Sequence, residues 1–473
     1  MAANNNTPGP KRRGLGGNLF AFRDDPLAFL EDAASYGEIS HIRIGNLHAY
    51  LLNDPDLIHQ VLVAHPEHYH KSRILKRTTN AIIGSGLLTS EGEFHKRQRR
   101  MIQPAFHHQR LAGYTEIMAR RTADLLDGWH DGQTFDASKQ MTKLTLQIVS
   151  EALFGADLSG QAEEIGAAIS MGVETVGSQI RNPTRQFLPP WLPVLFHPER
   201  REAAAFIRRT VMGMIDARKQ DGNLEDRSDL LSMLLLAMDD ETSATMTMEQ
   251  VYDEAITLFI AGHETTAIAL SWTLYLLATH PKIEAKLLDE IERVLGDRTP
   301  TLADLPHMKM VEYTIKESMR LYPPAWVMSR INVEDVNLGG YTIPKGSGVL
   351  MSQWVTHRDP RWFDDPLVFN PERWAADASG LELEKRILRY AYFPFGGGPR
   401  ICIGQPFAMM EMQVVLPMIL QRYGFSLVGD QEVVPEPLIT LRQRHGLRTQ
   451  IHARQRESID MSYVGISQPV IAS

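Results

Sequence analysis

Cys402 is the single cysteine among 473 residues, and its setting opens several kinds of chemistry. One thiol cannot form a disulfide, a zinc–cysteine cluster or an iron–sulfur cluster with cysteines of its own chain. It is therefore a small buried hydrophobe, a nucleophile or the one protein ligand to a large cofactor. It lies in the segment Phe395-Gly-Gly-Gly-Pro-Arg-Ile-Cys-Ile-Gly404. The glycines permit a tight turn whose N–H groups approach the sulfur, and a helix predicted over residues 407–416 begins close to it, so both would stabilise a thiolate.

A second group that could do chemistry is Glu264-Thr265, in an apolar-periodic stretch over about residues 248–277. Gly262 weakens this stretch as a helix, and the β-branched threonines offer hydroxyls that compete for carbonyls of the preceding turn. We therefore expect a local break in the helical hydrogen bonds. At such a break Thr265 could hold oxygen or a water while Glu264 links to solvent and supplies protons. The alternative is a buried structural helix with His263 and Glu264 facing solvent.

The segment 395–404 resembles the cysteine loop of cytochromes P-450. It has an aromatic residue seven positions before the cysteine, a glycine four before, an arginine two before and a glycine two after. The resemblance implies that Cys402, with Phe395 in the same loop, binds haem b (iron protoporphyrin IX) and that its thiolate is the axial ligand of the iron. The pattern around Glu264-Thr265 resembles the oxygen-activating helix of the same family, which implies catalytic roles for both residues.

A Glu-x-x-Arg pair, Glu317 and Arg320, lies just before two prolines. Three-residue spacing puts both side chains on one face of a predicted helix, which the prolines end. The same spacing recurs at Glu290 and Arg293, which we interpret as a solvated surface pair. Only the first pair is followed, about fifty residues on, by an Asn-Pro-Glu-Arg sequence that contains Arg373. The resemblance implies a buried ionic triad of Glu317, Arg320 and Arg373, which supports the fold rather than the chemistry.

The haem propionates would need cations, and four residues are candidates. His95 and Arg99 are four positions apart and therefore share one helical face. The resemblance places His95 where the family often has tryptophan, and Arg99 at the following anchor. Arg400 of the cysteine loop and Arg330, at the start of a strand-like run, are further candidates because a guanidinium can bind a carboxylate through two hydrogen bonds.

These residues must be positioned by a fold that is mainly α with small β-sheets (α+β). Helical periodicity dominates residues 103–321, and strand-like runs fall near residues 41–53 and 333–351. The chain is 43% apolar and 22% charged, which is ordinary for a soluble globular protein. The resemblance implies the triangular single-domain fold of cytochromes P-450.

Length alone would suggest about three domains. However, no Gly/Ser-rich or Pro-rich linker interrupts residues 24–454, and the motifs that must meet at one haem are spread over residues 92–404. We predict one domain over residues 19–454, a flexible tail at 1–18 and an extension of unknown role at 455–473.

Composition also restricts partners and location. The N-terminus lacks an apolar run long enough for a signal peptide or a membrane anchor, so we expect a cytoplasmic protein. We also expect a monomer. A net charge of −8 without a basic stripe argues against nucleic-acid binding. No flavin or iron–sulfur module is evident, so electrons are expected from a separate ferredoxin with its reductase, or from a flavodoxin-type donor. Five basic residues could attract such an acidic donor: Lys96, Arg97, Arg100, Lys385 and Arg386.

The resemblance implies a soluble bacterial-type haem-thiolate monooxygenase that uses O₂ and two electrons to hydroxylate or epoxidise a hydrophobic small molecule. Phe259, Ala261 and residues 325–328 are expected to line an apolar pocket, which suits a substrate such as a fatty acid or a terpenoid. Two alternatives stay open. One is a peroxide-driven hydroxylase, although such family members usually replace the Glu264-Thr265 pair, and the other is a non-catalytic haem-thiolate sensor.

Overall fold

The computed structural model describes residues 7–12, 14, 16–72, 83–181, 198–222, 224, 229–237 and 245–454. Within these ranges the chain is mainly helical. The α-helices are α1 Leu19–Asp24, α2 Pro26–Ala34, α3 Pro55–His59, α4 Gly92–Ile102, α5 His108–Asp127, α6 Ala137–Phe154, α7 Ala162–Arg181, α8 Pro198–Asp221, α9 Leu230–Leu236, α10 Met248–Thr279, α11 Pro281–Leu295, α12 Lys309–Leu321, α13 Gln353–Thr356, α14 Leu383–Arg386 and α15 Gln405–Arg422.

In the part of the chain that the structure describes, short strands form four small sheets. The strands are β1 Ile39–Ile44, β2 Leu47–Leu52, β3 Tyr69–Lys71, β4 Thr134–Asp136, β5 Met328–Asn332, β6 Val336–Leu338, β7 Tyr341–Ile343, β8 Gly348–Met351, β9 Tyr423–Leu427, β10 Pro435–Pro437, β11 Leu441–Gln443 and β12 Arg448–Ala453. The largest sheet has the order β1-β2-β8-β5-β3, and β12 lies between β4 and β9 in a second sheet. Mainly helical architecture with small β-sheets confirms the predicted fold class.

The core lies between the long helices. Met118, Leu144, Leu270, Ile315 and Val415, one each from α5, α6, α10, α12 and α15, have no exposed surface and belong to one apolar cluster. Burial of such side chains contributes roughly 1.5–3 kcal/mol each before the entropy cost of folding is counted. The core therefore fixes the position of α10, which carries Thr265, relative to α15, which begins beside Cys402.

Helix α10 begins with a capping box, in which the Thr247 hydroxyl accepts from Gln250 N and the Gln250 side chain accepts from Thr247 N. The prediction of a local break in this helix is wrong, because the chain is α-helical throughout Met248–Thr279. The threonine hydroxyls do not displace main-chain bonds. Thr265 Oγ1 instead donates to Ala261 O at 3.0 Å, as an addition to the helical hydrogen bonds.

Gly262 has a packing role that the sequence analysis did not assign. A Cβ at this position would lie 2.7 Å from Val149 Cγ2, so its absence allows α10 to approach α6 closely. Thr145 of α6 donates its hydroxyl to His263 O at 2.9 Å across the same contact. The two helices are thus held together directly beside Glu264.

The predicted ionic triad is present and buried. Glu317 Oε1 is 2.9 Å from both Arg320 Nη2 and Arg373 Nε, and Glu317 and Arg320 have no exposed side-chain surface. Trp374 Nε1 donates to Glu317 Oε2 at 2.9 Å, so the carboxylate has a third side-chain partner, next to Arg373 in the chain. Removing one member would leave uncompensated buried charge, at a cost of roughly 3–5 kcal/mol.

The second Glu-x-x-Arg pair differs from its interpretation as a solvated surface pair. Glu290 is only 8% exposed, and its carboxylate accepts from Met310 N at 2.9 Å and from Val311 N at 3.0 Å. These N–H groups belong to the first turn of α12, where helices have no internal acceptors. Arg293 lies 3.8 Å from Glu290, and its side chain is 69% exposed. Glu290 therefore caps α12, and only Arg293 faces solvent.

Part of the segment predicted as a tail, residues 1–18, contacts the first sheet. His41 N donates to Pro8 O at 2.7 Å, and Asn18 N donates to Arg43 O at 2.6 Å. Residues 455–473, predicted as an extension, lie outside the described residues. None of the helices in the described ranges combines the length and apolar character needed to cross a membrane.

Candidate functional site

The cysteine loop has the backbone conformation that its glycines were expected to permit. Gly396 and Gly398 have φ of 73° and 63°, in the left-handed region that side chains with a Cβ resist. A Cβ at Gly398 would also collide with the Leu62 carbonyl. Cys402 N donates to Phe395 O at 2.9 Å and closes the loop. The turn therefore presents Cys402 just before α15.

The Cys402 sulfur is subject to opposing influences. Burial raises the pKa of the thiol, while N–H donors at Gly404 and Gln405 and the positive charge of Arg99 act in the opposite direction. The side chain has accessible surface although it lies deep in the molecule, because that surface faces an internal cavity. A cation bound in the cavity would remove the thiol proton, since a coordinated thiol is deprotonated.

The cavity beside Cys402 has a volume of about 340 Å³. Ala261 and Thr265 of α10 form part of its wall, and Phe395 and Cys402 form another part. Most of the remaining lining is apolar, as in sites for hydrophobic ligands. Further residues of the lining include Leu88, Phe106, Leu153, Leu258, Ala325, Met328 and Phe407.

The predicted cationic residues lie close together. Arg99 Nη1 donates to Ile401 O of the cysteine loop at 2.8 Å. Arg400 Nη1 donates to Ser90 O at 2.6 Å, and its other nitrogen pairs with the carboxylate of Glu91. Burial, together with the nearby charge of Arg400, lowers the pKa of Arg330 to about 10. Arg330 is 9% exposed, so its charge is poorly solvated.

His95 lies in the same group as a neutral imidazole. Burial lowers its pKa to about 3, and Arg400, Lys71 and Arg99 contribute in the same direction. The neutral ring can donate one hydrogen bond without adding a further positive charge. Its position on α4 with Arg99 agrees with the predicted shared face.

These residues fit a haem. A thiol with backbone donors faces a mostly apolar cavity, and a buried arginine with lowered pKa lies beside a second arginine, an arrangement that two propionates would neutralise. The donor set is that of a thiolate-bound iron porphyrin with carboxylates at one edge.

Glu264 and Thr265 occupy different environments on α10. Thr265 lines the cavity. Glu264 instead accepts from Thr440 Oγ1 at 2.8 Å. Burial raises the pKa of its carboxyl, and Thr440 and Arg442 oppose that shift. His263 is 1% exposed and its Nδ1 lies 3.0 Å from Phe259 O, so the alternative is wrong in placing His263 toward solvent, while Glu264 is half-buried.

Three of the residues expected to line the pocket lie elsewhere: Phe259, Trp326 and Val327, which packs against the same core cluster as Trp326. Phe259 has no exposed surface and packs edge to face on Phe154 at 5.6 Å. Trp326 is in a separate core cluster, and its Nε1 donates to Leu438 O at 3.0 Å. Ala261, Ala325 and Met328 do line the cavity. Helical and strand periodicity shows that an apolar residue is buried, but it does not show whether it faces a cavity or the core.

The sequence did not indicate two partners of the site residues, one a carboxylate and the other a hydroxyl. Glu91 pairs with Arg400 from a position 309 residues away, and Thr440 binds Glu264 across 176 residues. Neither belongs to a motif with chemistry of its own. A single sequence contains no local signal for such contacts.

Comparisons with known proteins agree with this geometry. A family model described as Cytochrome P-450 matches residues 7–447. The chain is 37% identical over 430 residues to cyclooctatin synthase of Streptomyces melanosporofaciens, covering 90% of this chain and 91% of the relative. It is 34% identical over 407 residues to cyclooctat-9-en-7-ol 5-monooxygenase of the same organism, covering 86% of each. Pentalenene oxygenase of Streptomyces avermitilis is 32% identical over 441 residues, covering 93% of this chain and 95% of the relative.

The fold and the cysteine site define a haem-thiolate enzyme. The matches over nearly the whole chain show that it belongs to the cytochrome P-450 family, and its activity class is that of a monooxygenase. Members of this family bind haem through a cysteine thiolate, use O₂ with electrons from separate redox partners, and act on hydrophobic substrates.

Proposed function

We propose that this cytochrome P-450 hydroxylates or epoxidises a terpenoid. The observation that carries the proposal is the apolar cavity that Cys402 and Thr265 both line. Terpenoids are favoured over fatty acids because three similar enzymes carry names that refer to the terpenoids cyclooctatin and pentalenene or to a related cyclic alcohol. An apolar cavity recognises such compounds mainly by shape and buried area.

In this proposal the cofactor is haem b. Cys402 would bind the haem iron through its thiolate and Phe395 would contact the haem, while Arg330, Arg400, Arg99 and His95 of the cation group described above would bind the propionates. When bound, the haem supplies the activation of O₂. The chain's part is to hold the thiolate with the Gly404 and Gln405 N–H groups and to exclude water with the apolar lining.

Proton delivery is assigned to Thr265 and Glu264. The Thr265 hydroxyl lies at the cavity wall and would hold a water or a proton there. Burial raises the pKa of the Glu264 carboxyl, which also accepts a hydrogen bond from Thr440, so this group is suited to take up a proton and pass it on. Arg442 lies near Glu264, so the proposed proton route outward passes Thr440 and Arg442.

The alternatives are less well supported. In a peroxide-driven hydroxylase the acid–alcohol pair has no task, whereas here Glu264 and Thr265 are both present and the half-buried Glu264 carboxyl accepts a hydrogen bond from Thr440. A haem-thiolate sensor would need the cysteine loop alone. We further propose a cytoplasmic monomer with one catalytic domain over residues 19–454, supplied by a ferredoxin and its reductase or by a flavodoxin-type donor.

A spectral titration and a turnover assay test the proposal. The haem-loaded protein should show the reduced carbon monoxide band of thiolate coordination, and Cys402→Ala should lose it. Polycyclic terpenes should displace the water opposite Cys402 and shift the haem spectrum at lower concentration than long-chain fatty acids do. Oxygenated product should form with O₂, NADPH and the electron donors. Tighter binding of fatty acids, or product formation with hydrogen peroxide alone, would contradict it.

A further inference from the structure

A cluster of metal-ligating side chains lies on the surface between α3 and β3. It is formed by His65, Glu67 and His68, and one ligand atom of each lies within 4.8 Å of the others. Glu67 Oε1 is 3.6 Å from His65 Nδ1 and 3.3 Å from His68 Nε2. In the described part of the chain, these residues are not among those that line the cavity at Cys402.

The main chain holds the two histidines on one side. Residues Pro66–His68 form a 3₁₀ turn, in which side chains three positions apart lie above one another. The rings of His65 and His68 meet edge to face with centroids 5.4 Å apart. His65 N donates to Gln60 O at 3.0 Å, so the start of the turn is tied to the helical turn before it. The cluster is therefore a product of backbone geometry as well as of side-chain rotamers.

A fourth residue, Glu334, orients one of the histidines. Its carboxylate is hydrogen-bonded to His68 Nδ1. The pairing of β3 with β5 brings the two together, because Val333 N donates to His68 O at 2.9 Å directly beside Glu334. Metal-binding histidines commonly donate their second ring N–H to a carboxylate, which fixes the tautomer. With Nδ1 protonated, His68 Nε2 keeps the lone pair that a metal ion requires.

We propose that His65, Glu67 and His68 form a binding site for a divalent cation of the zinc class, with Glu334 as a positioning residue. Two imidazoles and one carboxylate are a ligand set that Zn²⁺ accepts, with water at the fourth position. The side chains of His65 and Glu67 are 60% and 64% exposed, so an ion can enter without unfolding the protein.

The site also has a place in the fold. The helical turn Gln60–Ala64 precedes it, and the Leu62 carbonyl in that turn lies against Gly398 of the cysteine loop. A bound ion would restrain the segment that packs on this loop. It would act there through the backbone and would not enter the haem cavity.

Zinc titration of the full-length, tag-free, haem-loaded protein tests this proposal. Calorimetry should detect Zn²⁺ binding that excess Mg²⁺ does not displace, because Mg²⁺ prefers oxygen ligands. His65→Ala and His68→Ala should each weaken binding at least about tenfold. Glu334→Gln should weaken it about 10–100-fold, as the loss of an orienting carboxylate does. His70→Ala, an exposed histidine two positions beyond His68, is the matched control and should bind as the wild type does.

Equal zinc affinity of the wild type and His68→Ala would overturn the proposal, and so would an equal loss in His70→Ala. Melting temperatures in EDTA show whether each variant is folded. If an alanine variant melts earlier than the wild type there, Glu67→Gln replaces it, since that change keeps the side-chain shape and removes one anionic ligand. Unchanged zinc binding in Glu67→Gln would then count against the site.

Discussion

At the scale of single residues, Cys402 is suited to metal ligation rather than to free nucleophilic chemistry. Burial raises the pKa of its thiol, so without a bound cation the sulfur stays protonated and unreactive. The Gly404 and Gln405 N–H groups and Arg99 become useful once a cation has removed the proton, because they then moderate the charge of the thiolate. Environment thus decides among the three roles open to a lone cysteine.

Thr265→Ala should divert electrons from product to hydrogen peroxide. Its hydroxyl is a polar group that α10 contributes at the cavity wall, and without it a proton is delivered less specifically. Product and peroxide formed per NADPH consumed measure the coupling. Thr265→Ser keeps the hydroxyl and should remain coupled. Tight coupling in the alanine variant would remove Thr265 from the proton route.

Glu254 should make stability depend on pH. It is fully buried on α10, accepts from Leu87 N at 2.8 Å and from Gln98 Nε2 at 3.1 Å, and burial raises its pKa from 4.5 to about 7. The folded state therefore holds the proton more tightly than the unfolded state. Between these two pKa values the free energy of unfolding falls as pH rises, and above about pH 7 this contribution is constant.

Glu254→Gln should remove that dependence. Across this pH window, the free energy of unfolding of the wild type should fall by on the order of 3 kcal/mol relative to that of the variant. Melting temperatures from about pH 5 to about pH 8 measure it. Glu249→Gln, an exposed carboxyl on the same helix, is the control and should keep the wild-type profile. Parallel profiles for the wild type and Glu254→Gln would mean that Glu254 stays ionised.

At the scale of elements, close contact between helices fixes the site more than helix propensity does. Gly262 lowers the intrinsic stability of α10 by roughly 1 kcal/mol, yet it permits contact with Val149 of α6. Helix α15 begins at the cysteine loop and continues into the core, so the sulfur is anchored to the same cluster as α10. The two walls of the cavity are therefore parts of one rigid core.

The N-terminus of α12 provides a prediction at this scale. Glu290→Ala should lower the free energy of unfolding by about 1–2 kcal/mol, because two N–H groups of α12 lose their acceptor. Arg293→Ala removes the exposed partner of the same pair and should cost less than about 0.5 kcal/mol. Chemical denaturation of both variants under one condition gives the comparison. Equal effects would restore the interpretation as a surface pair.

At the scale of the whole molecule, charge on the surface is proposed to guide the electron donor. Lys96 is exposed and paired with Glu93 at 2.7 Å, and Arg97 lies over the Phe94 ring at 5.5 Å. Arg386 is already engaged, since it donates to Leu381 O at 3.1 Å. Lys96 and Arg97 lie on α4 with Arg99, which contacts the cysteine loop, so they are candidates for docking close to the haem site.

Reversal of charge at Lys96 and Arg97 to glutamate should slow haem reduction by an acidic ferredoxin and weaken its salt dependence. Stopped-flow reduction at several ionic strengths measures both. Lys219→Glu with Lys282→Glu changes the net charge equally at exposed sites on other helices and should leave the rate unchanged. The docking proposal fails if both double variants behave as the wild type does with several ferredoxins.

The sequence by itself determined the parts of the protein that are contiguous in the chain. Cys402 with its glycines, the helix that contains Glu264 and Thr265, and the spacing of Glu317 and Arg320 were all predictable, because their geometry depends on neighbours a few residues away. The mainly helical fold class followed from periodicity for the same reason.

Only the tertiary structure decided which distant groups meet. It placed Thr440 on Glu264, buried Phe259 in the core, turned Glu290 toward the N-terminus of α12 and brought Glu334 to His68. A hydrophobic period shows that one face of an element is buried, but the partner of that face is set by the packing of the whole core. Contacts between residues hundreds of positions apart therefore leave no mark on either local sequence.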